Sequence, residues 1–122
     1  MALILVIDDE AGMRALLRDL LEKEGHKVLE AADGNMGMEL FDQNRPDLVI
    51  TDIFMPGKEG TQTILELRKI RPNVKIIAIS GGELADRLDV LGTAKVFGAL
   101  RVLPKPFHPK DMRQAVKELL AQ

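Results

Sequence analysis

Leu48-Val49-Ile50-Thr51-Asp52 is the stretch whose reading decides the fold. It is a continuous apolar run that ends on a carboxylate. A looser segment rich in turn formers follows, Phe54-Met55-Pro56-Gly57-Lys58-Glu59-Gly60. A short apolar run bounded by turn signals reads as a buried strand. Asp52 then stands where the strand stops and the loop begins. In parallel α/β sheets that carboxyl edge is where ligands and chemistry gather. A carboxylate there is costly unless a cation, a proton or hydrogen bonds compensate its charge.

The same pattern recurs on both sides of this stretch. Upstream, Leu3-Ile4-Leu5-Val6-Ile7 runs without alternation, as strands covered on both faces do, and ends at Asp8-Asp9-Glu10. Met13, Leu16, Leu17, Leu20 and Leu21 then recur at helical spacing, and Gly25 fits the position just past the helix end. Val28 to Ala32 predicts a second strand, closed by Asp33-Gly34. Met36, Leu40 and Phe41 predict a second helix, weakened by Gly34 and Gly37 and ended by Pro46.

Downstream, a third helix is expected over 61–71, with Ile64, Leu67 and Ile70 inward and Pro72 after it. Val74 to Ile79 predicts a fourth strand, ending at Ser80-Gly81-Gly82. Val90, Leu91, Ala94 and Phe97 have helical spacing, so a loop and then a helix from Asp86 or later is expected. Leu100 to Leu103 predicts a fifth strand, and Pro104 at its end places it at an edge or a terminus. Pro109 fits the first turn of a last helix carrying Met112, Ala115, Val116, Leu119 and Leu120 on one stripe. Five strands alternating with five helices predict a single α/β domain over 1–122, a doubly wound parallel sheet with helices on both faces.

Composition narrows the chemistry. Hydrophobic residues are 46% of the 122 and aromatics only 3%, so the core is aliphatic. The absence of Cys excludes disulfides and thiolate metal sites. His26 and His108 are the only imidazoles, which disfavours structural zinc; both read as surface or capping residues. No apolar stretch is long enough to span a bilayer, and the first residues lack a basic leader, so a cytoplasmic protein is expected. Charge is divided along the chain: residues 1–60 carry thirteen acids and six bases, residues 61–122 six acids and eleven bases. The plain reading is solvated helix faces; the sharper one is an acidic cation site beside a basic surface for a partner.

In this architecture Asp8, Asp9, Asp52, Ser80 and Lys105 all fall at carboxyl ends of strands. The three aspartates offer hard oxygens suited to Mg2+ or Mn2+ rather than a soft metal. Lys105 is a compact cation within reach of a carboxylate or an arriving anion. Ser80 supplies a hydroxyl. Such a set can accept a phosphoryl group, with a carboxylate as nucleophile. Taken singly, each residue has a bland reading: Asp8 and Asp9 as helix caps, Asp52 as a turn former, Ser80-Gly81-Gly82 as a turn and Lys105 as a surface lysine. Their joint placement is what argues for a site.

The chain resembles a response-regulator receiver domain over essentially its whole length. The matching residues are Asp8-Asp9, Asp52 with Met55-Pro56-Gly57 and Gly60, Ser80-Gly81, Gly98-Ala99 and Lys105-Pro106-Phe107. The resemblance implies strand order 2-1-3-4-5. It implies that Asp52 is phosphorylated by a sensor histidine kinase or phosphotransfer protein. It implies Mg2+ held by Asp9, Asp52 and the backbone carbonyl of Phe54, with Asp8 acting through water. Ser80 and Lys105 would contact the phosphoryl oxygens, and the Lys105-Pro106 bond would often be cis. The expected product is a signalling switch, not an enzyme, whose fourth helix, fifth strand and fifth helix meet an output protein. No direct nucleic-acid or membrane contact is expected, and a phosphorylation-dependent dimer stays open. A receiver excised from a longer regulator fits the sequence as well.

Some features depart from the family pattern. Val102 stands where an aromatic is usual, three residues before the lysine, so a rotating aromatic reporter is missing there. Pro104 directly before Lys105 is unusual, and the stretch from Ser80 to Gly98 is longer than common. Neither Phe54 nor Gly82 offers a side chain that can hydrogen-bond an attacking water, so self-hydrolysis is expected to be slow. The rival readings fare worse: a phosphohydrolase would want an acid where Phe54 stands, and a flavin-binding phosphate loop would not begin Asp8-Asp9-Glu10.

Overall fold

The computed structural model describes residues 1–53, 60–80 and 101–122. Five parallel strands, β1 (Leu3–Ile7), β2 (Lys27–Ala31), β3 (Leu48–Asp52), β4 (Ile76–Ser80) and β5 (Arg101–Pro104), form one sheet in the order β2-β1-β3-β4-β5. Four helices lie among the described residues: α1 (Ala11–Lys23), α2 (Gly34–Asn44), α3 (Gly60–Ile70) and α4 (Pro109–Leu120). The helix expected from Asp86 or later lies outside the described residues, as do Phe54, Gly81, Gly82 and Gly98-Ala99.

The uninterrupted apolar strands have a direct cause. Successive side chains of a strand point to opposite faces, and both faces here are covered. In β1, Ile4 and Val6 join Leu17, Leu21, Met112 and Val116 under α1 and α4. Leu5 and Ile7 join Phe41, Ile64 and Leu67 under α2 and α3. β3 and β4 divide in the same way: Leu48, Ile50, Ile77 and Ile79 face one layer, Val49, Ile76 and Ala78 the other. β5 is the edge strand, and Pro104, which has no N–H to give a ladder, pairs in register with Ser80 at its end.

Local chemistry sets the helix ends. α1 closes with Gly25 at φ 88°, its N–H on Glu22 O and the His26 N–H on Leu21 O. This is the paired closure that favours glycine in the left-handed region. Asp33 caps α2 by accepting the Met36 N–H at 2.8 Å. His108 caps α4, its Nδ1 accepting the Lys110 N–H at 3.0 Å, and Pro109 follows in the first turn. His26 accepts the Ala2 N–H at 3.2 Å, so both histidines act in local backbone bonding.

Two expectations are corrected, and one glycine has a second role. Ile70, expected inward, is 53% exposed, because it ends α3 one turn beyond the contact that Leu67 makes. Gly37 is not merely a weak helix former: a Cβ there would stand 2.8 Å from Ile7 Cγ1, so its bareness lets α2 approach β1. β4 begins at Ile76 rather than Val74, because the Val74 N–H is taken by Arg71 O in the preceding turn.

Candidate functional site

Topology fixes where the site falls. From β1 the chain crosses one way to β2, and it later returns to place β3 on the other side of β1. The strand order reverses between β1 and β3, and the crevice at their carboxyl ends is the switch point of the sheet. Ile7 pairs in register with Thr51, so Asp8 and Asp52, the next residues of each chain segment, meet across that crevice.

Both carboxylates are buried, with residue exposures of 1% for Asp8 and 3% for Asp52. Lys105 stands between them. Its Nζ donates to Asp52 Oδ2 at 2.8 Å and lies 3.2 Å from Asp8 Oδ2. It also donates to Glu10 Oε1 at 3.0 Å. The lysine is positioned by the end of β5, where its backbone N–H bonds Ser80 O at 2.6 Å. The Lys105-Pro106 peptide is cis. Ser80 is itself fully buried at the last position of β4.

The electrostatics follow from this geometry. Burial pushes the Asp8 carboxyl above its ordinary range, and the Asp52 charge pushes the same way. The Glu10 N–H on Asp8 Oδ1 at 2.9 Å and the nearby Lys105 ammonium oppose the rise without cancelling it. Burial also works against the charge on Lys105. Its hydrogen bonds to Asp52 and Glu10 and the fields of Asp52 and Asp8 outweigh that cost, so its pKa stands well above the ordinary lysine value. Asp8 Oδ2 is close to Lys105 but not aligned for a hydrogen bond, which leaves a buried acceptor without one. One ammonium does not satisfy this group of carboxylates.

Carboxylate oxygens of Asp8, Asp9, Glu10 and Asp52 lie within 4.8 Å of one another. Asp9 and Glu10 are exposed, while Asp8 and Asp52 are buried. Hard oxygens converging at that spacing, one of them a buried acceptor lacking a hydrogen bond, fit a small divalent cation. Of the site residues read from the sequence, Asp8, Asp9, Asp52, Ser80 and Lys105 all fall at the carboxyl edge. Phe54 lies outside the described residues.

Two features of the surroundings were not read from the sequence. Glu10 joins Lys105, although the sequence showed it only as part of an acidic turn. The second feature is a brace beneath Asp8. Arg14 Nη1 donates to the Asp8 carbonyl at 2.7 Å, and Arg14 Nε lies 3.3 Å from Glu30 Oε1. Arg18 Nε meets the other Glu30 oxygen at 2.5 Å, and its Nη2 donates to Val28 O at 3.1 Å. The spacing of Arg14 and Arg18 on α1 puts both on one face, which was the available signal.

Fold and site together define a doubly wound α/β domain with clustered carboxylates and a partner lysine at its switch point. Within that class, the chain belongs to the response regulator receiver domains of two-component systems, whose family model matches residues 4–117. It is 36% identical over 118 residues to the sporulation initiation phosphotransferase F of Bacillus subtilis, covering 96% of this chain and 92% of that one. A receiver domain protein of Clostridium thermocellum superposes with a TM-score of 0.92 at 34% identity, covering 99% and 95% of the two chains. The response regulator protein TrrA of Thermotoga maritima, solved in complex with Mg2+–BeF, superposes with a TM-score of 0.85 at 34% identity, covering 98% and 99%. The chain spans about half the length of several transcriptional regulators that it also matches.

Proposed function

We infer that this receiver is a Mg2+-dependent phosphoryl-accepting switch with Asp52 as the acceptor. The observation that carries this is Lys105 Nζ, held 2.8 Å from Asp52 Oδ2 inside a carboxylate cluster at the switch point. Asp8, Asp9, Asp52 and the Phe54 carbonyl are the groups that would hold Mg2+, or Mn2+. When bound, the ion supplies positive charge that offsets the carboxylates and the phosphoryl oxygens. An Asp52 carboxylate oxygen forms the new bond to phosphorus. The P–N bond of a phosphohistidine breaks, and the imidazole nitrogen leaves with the electron pair. Lys105 and the Ser80 hydroxyl then meet the transferred oxygens, which is stabilisation by donors already in place. The TrrA complex with Mg2+–BeF supports this assignment by analogy.

The donor is a sensor histidine kinase or a phosphotransfer protein. The output surface comprises the helix expected after residue 86, β5 and α4. Lys110, Arg113 and Lys117 are exposed on α4, and Arg101 of β5 pairs with Glu118 at 3.2 Å. With Arg87 and Lys95 of the sequence, this basic set suits an acidic partner protein. The reading places the domain in the cytoplasm without membrane or direct nucleic-acid contact, and among the described residues no helix is long and apolar enough to cross a membrane. Self-hydrolysis is slow, because Phe54 and Gly82 cannot position a water; decay of the phosphoprotein within seconds would contradict that. A second reading, a receiver joined to an output domain in a longer regulator, is favoured by the relatives of twice this length.

Intact mass after incubation with acetyl phosphate and Mg2+ tests the acceptor. One added phosphate is expected on the wild type and none on Asp52→Asn. Equal uptake by both would reject Asp52.

A further inference from the structure

Glu10 occupies the N-cap position of α1, yet its side chain makes no cap hydrogen bond. Ser, Thr, Asp and Asn are the residues that do that work well. Its carboxylate reaches instead to Lys105, which is 95 positions away in sequence, at 3.0 Å. The Glu10 side chain is 64% exposed, while those of Asp8 and Asp52 are 1% and 4% exposed. Glu10 therefore stands on the solvent side of the ammonium, and the two aspartates stand on its buried side.

An exposed ion pair of this kind contributes little to stability, which makes a purely structural role a weak account of it. Its position relative to the acceptor is more informative. An ammonium has three N–H donors. A phosphoryl oxygen arriving at Asp52 competes with Asp52 and Glu10 for those donors. Glu10 returns to water at the least cost, because it is already largely hydrated. Until it lets go, its charge also repels the incoming group.

We propose that Glu10 is a positioning residue that holds Lys105 from the solvent side and selects against small phosphoryl donors carrying two negative charges. This rests on Asp52 being the acceptor. With an acyl phosphate, the Asp52 oxygen forms the bond to phosphorus, the bridging P–O bond breaks and the donor carboxylate leaves with the electron pair. With phosphoramidate, whose nitrogen is already protonated, the P–N bond breaks and ammonia leaves. The first donor brings one more net negative charge past Glu10 than the second.

The test measures second-order phosphorylation rates of the full chain by intact mass, in Mg2+, with acetyl phosphate and with phosphoramidate. Glu10→Gln keeps an acceptor for Lys105 and removes the charge; Glu10→Ala removes both. Acetyl phosphate should react about five- to tenfold faster in both variants, as expected for losing one like charge near the reacting group. Phosphoramidate should change by only about two- to threefold, so the ratio between donors moves. A ratio unchanged in both variants would overturn the proposal. If the wild type takes phosphate from neither donor, the acceptor reading falls instead. The hold on Lys105 is then read without any donor, by acylation of its amine followed at the peptide level in alkaline buffer. Faster labelling in Glu10→Ala supports the hold, and unchanged labelling overturns it.

Discussion

The interior of the sheet and its carboxyl edge follow opposite rules, and β3 carries both within five residues. Leu48, Val49 and Ile50 are fully buried among aliphatic neighbours on both faces. Asp52, at the end of the same strand, is buried against another carboxylate and a shared lysine. In the interior, every group has what it needs from the protein alone. At the edge, burial and the Asp52 charge disfavour the charged form of Asp8. The apolar interior thus holds in place an edge where two buried carboxylates share one ammonium.

The largest effect should come from breaking the interior. Ile50→Ala removes a fully buried side chain from the layer under α1 and α4. It should cost about 2–5 kcal/mol in denaturant unfolding. Gly37→Ala adds a methyl group that Ile7 already excludes. It should cost about 1–3 kcal/mol, and Ile7→Val in the same chain should restore part of that.

At the edge the sign reverses. The folded pKa of Asp8 is raised, so the folded state holds that proton more tightly than the unfolded chain does. Wild-type stability should fall as pH rises from the ordinary carboxylate value through the raised one, and the penalty should persist at neutral pH. Without divalent ions, Asp8→Asn should therefore be more stable than wild type at neutral pH, by about 1 kcal/mol, the scale of one unsatisfied buried group. The difference should vanish in acid, where Asp8 is protonated in both states; a pH series of thermal melts reads this. The smallest effect sharpens the contrast with Gly37. A Cβ at Gly12 of α1 would meet nothing within 4 Å. Gly12→Ala should add about 0.5–1 kcal/mol in the same denaturant assay.

Much of this was legible in the sequence, and the physical reasons differ by element. β1 and β3 were readable because a strand covered on both faces must be apolar throughout. Asp8, Asp52 and Ser80 were readable because each directly follows or ends such a run, and Lys105 because it follows the edge strand closed by Pro104. The close approach at Gly37 is not legible there, since helix propensity is a local property and carries no information about Ile7 across the layer. Ile70 has the right spacing, but the sequence does not show where α3 passes beyond its neighbours. Glu10 and Lys105 meet only because the sheet order sets β5 and the β1 edge around one crevice. No local pattern announces that meeting.

We propose that a divalent cation completes the carboxyl edge. Thermal melting of the metal-free domain at neutral pH, titrated with MgCl2 against NaCl of equal ionic strength, tests it directly. The wild-type midpoint should rise with the logarithm of Mg2+ once the site begins to fill, and Asp9→Asn should lose most of the rise. A midpoint that moves no further in MgCl2 than in NaCl, or that rises equally in Asp9→Asn, would contradict it.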